Sequence, residues 1–137
     1  MTKDKAASGN LASIMASHAL FETLPEEARK SLIEKSNTVT LAPGEKLIEE
    51  GEFNYHLYLL TRGSVHIETG DETIATLKAG DVVGEISTTG LSTPVANVIA
   101  ETVIEAVAFP IENISEIAFE HPAFAEKMRE IGMQRYV

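Results

Sequence analysis

Hydrophobic positions change period twice along this chain, and the changes divide it into helices, strands and helices again. Leu11, Ile14 and Met15 recur at helical spacing, and Asn10 just before them is a residue type that caps helices. After Leu20-Phe21 a second helix is predicted from Leu24-Pro25-Glu26-Glu27. Proline suits a first turn, acids complement the dipole there, Ala28, Leu32 and Ile33 form the apolar stripe, and Lys35 lies near the end. From Asn37 the period falls to two: Val39 and Leu41 alternate with Thr38 and Thr40. Pro43-Gly44 turns the chain into a short strand from Glu45 to Glu50, closed by Gly51. His56 to Thr61 is apolar at nearly every residue, which predicts a strand buried on both faces. After Arg62-Gly63, Val65 and Ile67 alternate with His66 and Glu68, so His66 is expected to face solvent. Gly70-Asp71 fits a hairpin turn into Ile74 to Leu77, and Ala79-Gly80-Asp81 is another turn. Val98 to Phe109 reads as one or two strands, which Pro110 stops. Asn113 is placed to cap a helix carrying Ile114, Ile117 and Ala118. His121-Pro122 breaks that helix, and Phe124, Met128 and Ile131 mark a final one, with Gly132 interrupting it.

Short strands with frequent turn signals predict a mainly β fold with flanking α-helices. Residues 1–9 are small, polar and aperiodic and read as a flexible N-terminal arm. Residues 10–137 read as a single domain, with helices over 10–36, strands over 37–110 and helices over 111–137.

Composition narrows the function. The 137 residues suffice for one core, and with no cysteine there is no disulfide, thiolate zinc site or cysteine nucleophile. No apolar run is long enough to cross a bilayer and the N-terminus lacks a secretory h-region, so a cytoplasmic location is expected. The formal net charge of −10 speaks against nucleic-acid and anionic-membrane partners, which need a basic face. Between Gly44 and Glu120 the only lysines and arginines are Lys46, Arg62 and Lys78. The histidines His18, His56, His66 and His121 have no partner at helical ligand spacing, so no metal site is expected. Glu112 and Glu116, one turn apart, read as an exposed helix face. No nucleophile elbow, Walker loop or dinucleotide fingerprint occurs, and the expectation is a protein that is not an enzyme.

One stretch, Gly80 to Ala100, combines a Gly-Asp turn, a small-residue segment without a cation and a β-branched exit. Together with Leu41-Ala42-Pro43-Gly44-Glu45, Gly51, Leu57-Tyr58-Leu59-Leu60 and Gly63-Ser64-Val65, the run Leu77-Lys78-Ala79-Gly80-Asp81-Val82-Val83-Gly84-Glu85 resembles the cyclic nucleotide-binding domain family. The match extends from about Leu20 to Phe124. The resemblance implies a double-stranded β-helix, a jelly-roll-like β roll with N- and C-terminal helices.

It also implies a phosphate-binding cassette. In the family, backbone amides after the glycine cradle the cyclic phosphate, the glutamate accepts a hydrogen bond from the ribose, and an arginine near the cassette's end pairs with the phosphate. Carried over residue by residue, the ligand-binding candidates are Val83, Gly84, Glu85, Ile86, Ser92, Thr93, Val95 and Ala96. The arginine position is Val95, and no lysine or arginine lies between Lys78 and Lys127. Losing one side of a buried charge pair costs about 2–5 kcal/mol, a roughly 30- to several-thousand-fold loss of affinity. Tight binding of cAMP or cGMP is therefore not expected, and no cofactor is expected. The leading expectation is a regulatory or adaptor module acting through protein contacts, with a protein partner or self-association. The alternative is a small-molecule sensor that holds a cyclic nucleotide or a neutral nucleoside through Gly84, Glu85 and the cassette hydroxyls. The last helix is expected to pack on its own β roll, with a partner surface as the alternative, because Met128, Ile131, Met133 and Tyr136 are too many apolar residues for one narrow stripe.

Overall fold

β-branched residues and leucine, alternating in and out, build two antiparallel sheets in the middle of the chain. The computed structural model describes residues 2–5, 8–84, 94 and 96–136. The strands are β1 (Thr2–Lys5), β2 (Asn37–Leu41), β3 (Lys46–Ile48), β4 (His56–Arg62), β5 (Ser64–Thr69), β6 (Glu72–Lys78), β7 (Val82–Val83), β8 (Asn97–Ala100) and β9 (Ile104–Pro110). One sheet has the order β1-β2-β9-β4-β7 and the other β3-β8-β5-β6. The helices are α1 (Ser8–Ala16), α2 (Glu26–Glu34), α3 (Ile111–Glu120) and α4 (Pro122–Tyr136), with a 3₁₀ turn at Phe21–Thr23. This is the mainly β roll with flanking helices that the sequence implied.

Two cores share the strands β4 and β9. Successive residues of a strand point to opposite faces. Leu57 and Leu59 of β4, with Val107 and Phe109 of β9, therefore meet Leu11, Met15, Leu32, Ile114 and Phe124 of the helices. Tyr58 and Leu60, with Ile104, Ala106 and Ala108, face Val65, Ile67 and Val98 across the inter-sheet core. The unbroken apolar run of β4 is thus explained: both of its faces are buried. Phe21 ties the 3₁₀ turn to β9 and α4, its ring centroid 5.3 Å from Phe109 and 6.0 Å from Phe124.

Several expectations need correction. Residues 2–5 are not a loose arm. They pair antiparallel with β2, Thr2 opposite Thr40 and Lys5 opposite Asn37. The strand covers main-chain groups that β2 would otherwise leave at an open edge, and it joins through backbone hydrogen bonds, so no apolar pattern announces it. The first helix begins at Ser8, which puts Asn10 inside it rather than at its cap. Likewise α3 follows β9 without a break, Pro110 takes the cap position, and Asn113 is buried, its Nδ2 donating to the Ser31 carbonyl at 3.4 Å. Gly132 does not interrupt the last helix, which runs on to Tyr136. His66 is only part-exposed, its Nε2 3.4 Å from Glu68 Oε2 and its Nδ1 3.7 Å from Glu101 Oε2.

Candidate functional site

The cassette is entered through a turn fastened at several points. Gly80 donates to the Leu60 carbonyl at 2.8 Å, and Leu60 donates to the Asp81 carbonyl at 2.9 Å. The Asp81 carboxylate accepts the Lys78 N–H at 2.9 Å, the bond an aspartate in a tight turn is suited to make. A contact from far away in the sequence completes the set. His18 Nδ1 accepts the Leu20 N–H at 3.0 Å, which leaves the ring proton on Nε2 to donate to the Gly80 carbonyl at 2.6 Å. The segment between α1 and the 3₁₀ turn is thereby anchored to the cassette's entrance.

β7 then pairs with β4 at Tyr58 and Leu59. Val83 is fully buried in the inter-sheet core. Gly84 follows with φ +99°, a conformation that L side chains rarely adopt. A Cβ there would stand 2.7 Å from the His56 carbonyl oxygen and 2.9 Å from Asn54 Nδ2, so the position is crowded as well as left-handed. Asn54 is itself buried and closes a small ring with His56, donating from Nδ2 to the His56 carbonyl at 2.7 Å and accepting the His56 N–H at 3.3 Å.

The cassette's far end is tied to the loop after β3. The Pro94 carbonyl accepts the Gly51 N–H at 3.0 Å, and Asn97 Oδ1 accepts the Glu50 N–H at 2.8 Å. Ala96 is buried in the inter-sheet core. Both ends of the cassette, Gly84 and Pro94, thus meet the connection between β3 and β4. Of the residues singled out from the sequence, Val83, Gly84 and Ala96 are fixed in this frame. Glu85, Ile86, Ser92, Thr93 and Val95 lie outside the described residues.

The β3–β4 connection also borders a cleft of about 260 Å³, lined in part by Ile48, Asn54, His56 and Tyr58. Its charged lining residues are Lys46, Glu49 and Glu52, and Lys46 Nζ lies 3.5 Å from Glu49 Oε1. Burial pushes the Tyr58 phenol above the ordinary tyrosine range. In the turn between β2 and β3 the Ala42 N–H donates to the Glu45 carboxylate at 2.7 Å and holds it below the usual glutamate range. Sequence reading passed over Asn54 and its aromatic neighbours Phe53 and Tyr55. The available signal was two aromatic residues in an otherwise polar connection. Among the described residues no group of three histidine, aspartate or glutamate side chains is placed to hold a metal ion, and no helix is long and apolar enough to cross a membrane.

The sequence profile of the family described as "Cyclic nucleotide-binding domain" matches residues 38–121. Cyclic nucleotide-gated channel beta-1 of Bos taurus is 26% identical over 124 residues, which cover 86% of this chain and 9% of the channel, so the chain spans under a tenth of that relative's length. The sensor domain of the transcriptional regulator DNR from Pseudomonas aeruginosa shares the fold with a TM-score of 0.80 at 19% identity, over 91% of this chain and 93% of that one. The regulatory subunit of a cAMP-independent protein kinase A from Trypanosoma brucei also shares it. Its solved triple mutant, one change of which replaces threonine by arginine, is bound to cAMP in the A site and superposes with a TM-score of 0.75 at 19% identity, over 84% of this chain and 44% of that one. The profile takes in the roll from β2 to β9, the cassette and α3, and on that match this chain belongs to the cyclic nucleotide-binding domain family.

Proposed function

We propose that this domain is a non-enzymatic regulatory or adaptor module that binds cAMP and cGMP weakly or not at all and works through protein contacts. One observation carries the reading: the position where the family's phosphate-pairing arginine is expected holds Val95, and no lysine or arginine occurs from Ala79 to Glu126. A cyclic nucleotide brings a full negative charge. Without a cation its burial forfeits a charge-assisted pair of about 2–5 kcal/mol, and the chain's net charge of −10 opposes the approach of an anion. The Trypanosoma brucei relative supports the reading by analogy. It belongs to a protein kinase A described as cAMP-independent, and the version described as bound to cAMP carries an introduced arginine among its three changes.

Titration calorimetry of the wild-type chain and of Val95→Arg with cAMP, cGMP and adenosine tests this. The expected result is no submicromolar affinity in the wild type and a gain of roughly 30-fold or more for a cyclic nucleotide in the variant, from the charge pair restored. Submicromolar binding of either cyclic nucleotide by the wild type refutes the proposal. A Val95→Arg protein that gains nothing refutes the assignment of the loss to the missing arginine. Binding of adenosine alone would favour the sensor reading, since a neutral nucleoside needs no cation.

A further inference from the structure

Two aromatic side chains beside the cleft are left in solvent. Phe53 is 62% exposed and Tyr55 61%, and their ring centroids lie 4.8 Å apart at an interplanar angle of 33°. Phenylalanine and tyrosine are costly to expose as a pair, and side by side they form the kind of aromatic anchor that protein interfaces use. The ring pair is held in place. Asn54 between them is buried and bonded to the His56 backbone, and the Ile111 N–H at the start of α3 donates to the Tyr55 carbonyl at 2.8 Å.

The charge around the pair selects its occupant. Glu49, Glu50 and Glu52 are all exposed on the adjoining loop, and Glu112 is exposed next to Ile111. The cation in this stretch, Lys46, lies 3.5 Å from Glu49. An anionic ligand or lipid surface is repelled by such a rim. A second copy of the chain, meeting the patch face to face, would set the same glutamates against one another. A guanidinium, in contrast, stacks on aromatic faces and pairs with carboxylates at once.

We propose that Phe53 and Tyr55, rimmed by Glu49 and Glu52, form a docking site for an arginine-bearing basic segment of a partner protein. The inference deepens the adaptor reading and rests on it for the premise that the domain has a protein partner.

The test is ¹⁵N chemical-shift mapping of the full chain with a short peptide of alternating arginine and glycine, and with lysine–glycine and glutamate–glycine counterparts. Shifts from the arginine peptide should centre on residues 49–56 and weaken as salt is added. The Phe53→Ala/Tyr55→Ala double variant should lose about five- to tenfold in affinity, at a few-fold for each exposed cation–π contact. Both side chains are exposed, so its spectrum outside the loop serves as the check on folding. Three results would overturn the proposal: no shifts at millimolar arginine peptide, shifts undiminished in the double variant, or equal binding of the lysine peptide. The cassette reading is judged separately by the nucleotide titration, so either can fail alone.

Discussion

Replacing Gly84 by alanine perturbs the cassette frame at its most crowded point. The new Cβ would lie 2.7 Å from the His56 carbonyl oxygen and 2.9 Å from Asn54 Nδ2. A left-handed conformation costs a non-glycine residue about 1–2 kcal/mol. Moving Asn54 aside breaks its two bonds with His56, at about 0.5–1.5 kcal/mol each. The sum is about 2–5 kcal/mol, a large part of an ordinary domain's stability of about 5–15 kcal/mol. Gly44 supplies the control. Its φ is +89° and a Cβ there meets nothing within 4 Å, so Gly44→Ala carries the conformational cost alone. Urea unfolding followed by circular dichroism measures both. With a slope of about 2 kcal/mol per molar, Gly84→Ala should lower the midpoint by about 1–2.5 M and Gly44→Ala by about 0.5–1 M. Equal shifts in the two variants would refute the reasoning, because the close contacts with Asn54 and His56 exist at Gly84 and not at Gly44.

Two further outcomes follow from burial. Phe109 is fully buried between Phe21 and the helices, so Phe109→Ala should cost about 3–5 kcal/mol in the same unfolding experiment, whereas Phe119→Ala, at a side chain 89% exposed, should stay within about 0.5 kcal/mol. Burial raises the Tyr58 pKa in the folded state, so its contribution to stability is complete below the unfolded tyrosine pKa of about 10 and is lost as pH rises through the folded value. Phenolate absorbance should therefore show a late transition that Tyr58→Phe removes, and a late transition that persists in that variant would contradict it.

Period and turn chemistry made most of the fold legible. The alternation at Val39 and Leu41, the solid apolar run of β4 and the glycine turns each reflect a local rule that tertiary packing left in force. The errors arose where another force decided. β1 is held by main-chain pairing with β2, which no side-chain pattern records. Asn113 has the chemistry of a cap, but α3 starts at Ile111, directly after Pro110, so its amide turned to the Ser31 carbonyl instead. At the site, the frame was readable because glycine is demanded by geometry at Gly84 and because Ala96 belongs to the core. The His18 bond to Gly80 was not readable, since it joins residues 62 positions apart. Nor were Phe53 and Tyr55, because an aromatic residue in a connection looks the same in a sequence whether it is folded inward or left outside.

The strand order carries a consequence for how the protein is made. β9 occupies the centre of the five-stranded sheet, between β2 and β4, although it is the last strand in the chain. A ribosome that has released everything through β8 has delivered an assembly whose middle member is missing. β2 and β4 then wait with their inner edges open, and Leu57 and Leu59 lack Val107 and Phe109 beside them. The β5–β6 hairpin closes locally and early, whereas the larger sheet must defer to residue 110. Any nascent chain shorter than that holds sticky, half-paired strands, and its yield depends on how long those edges stay uncovered.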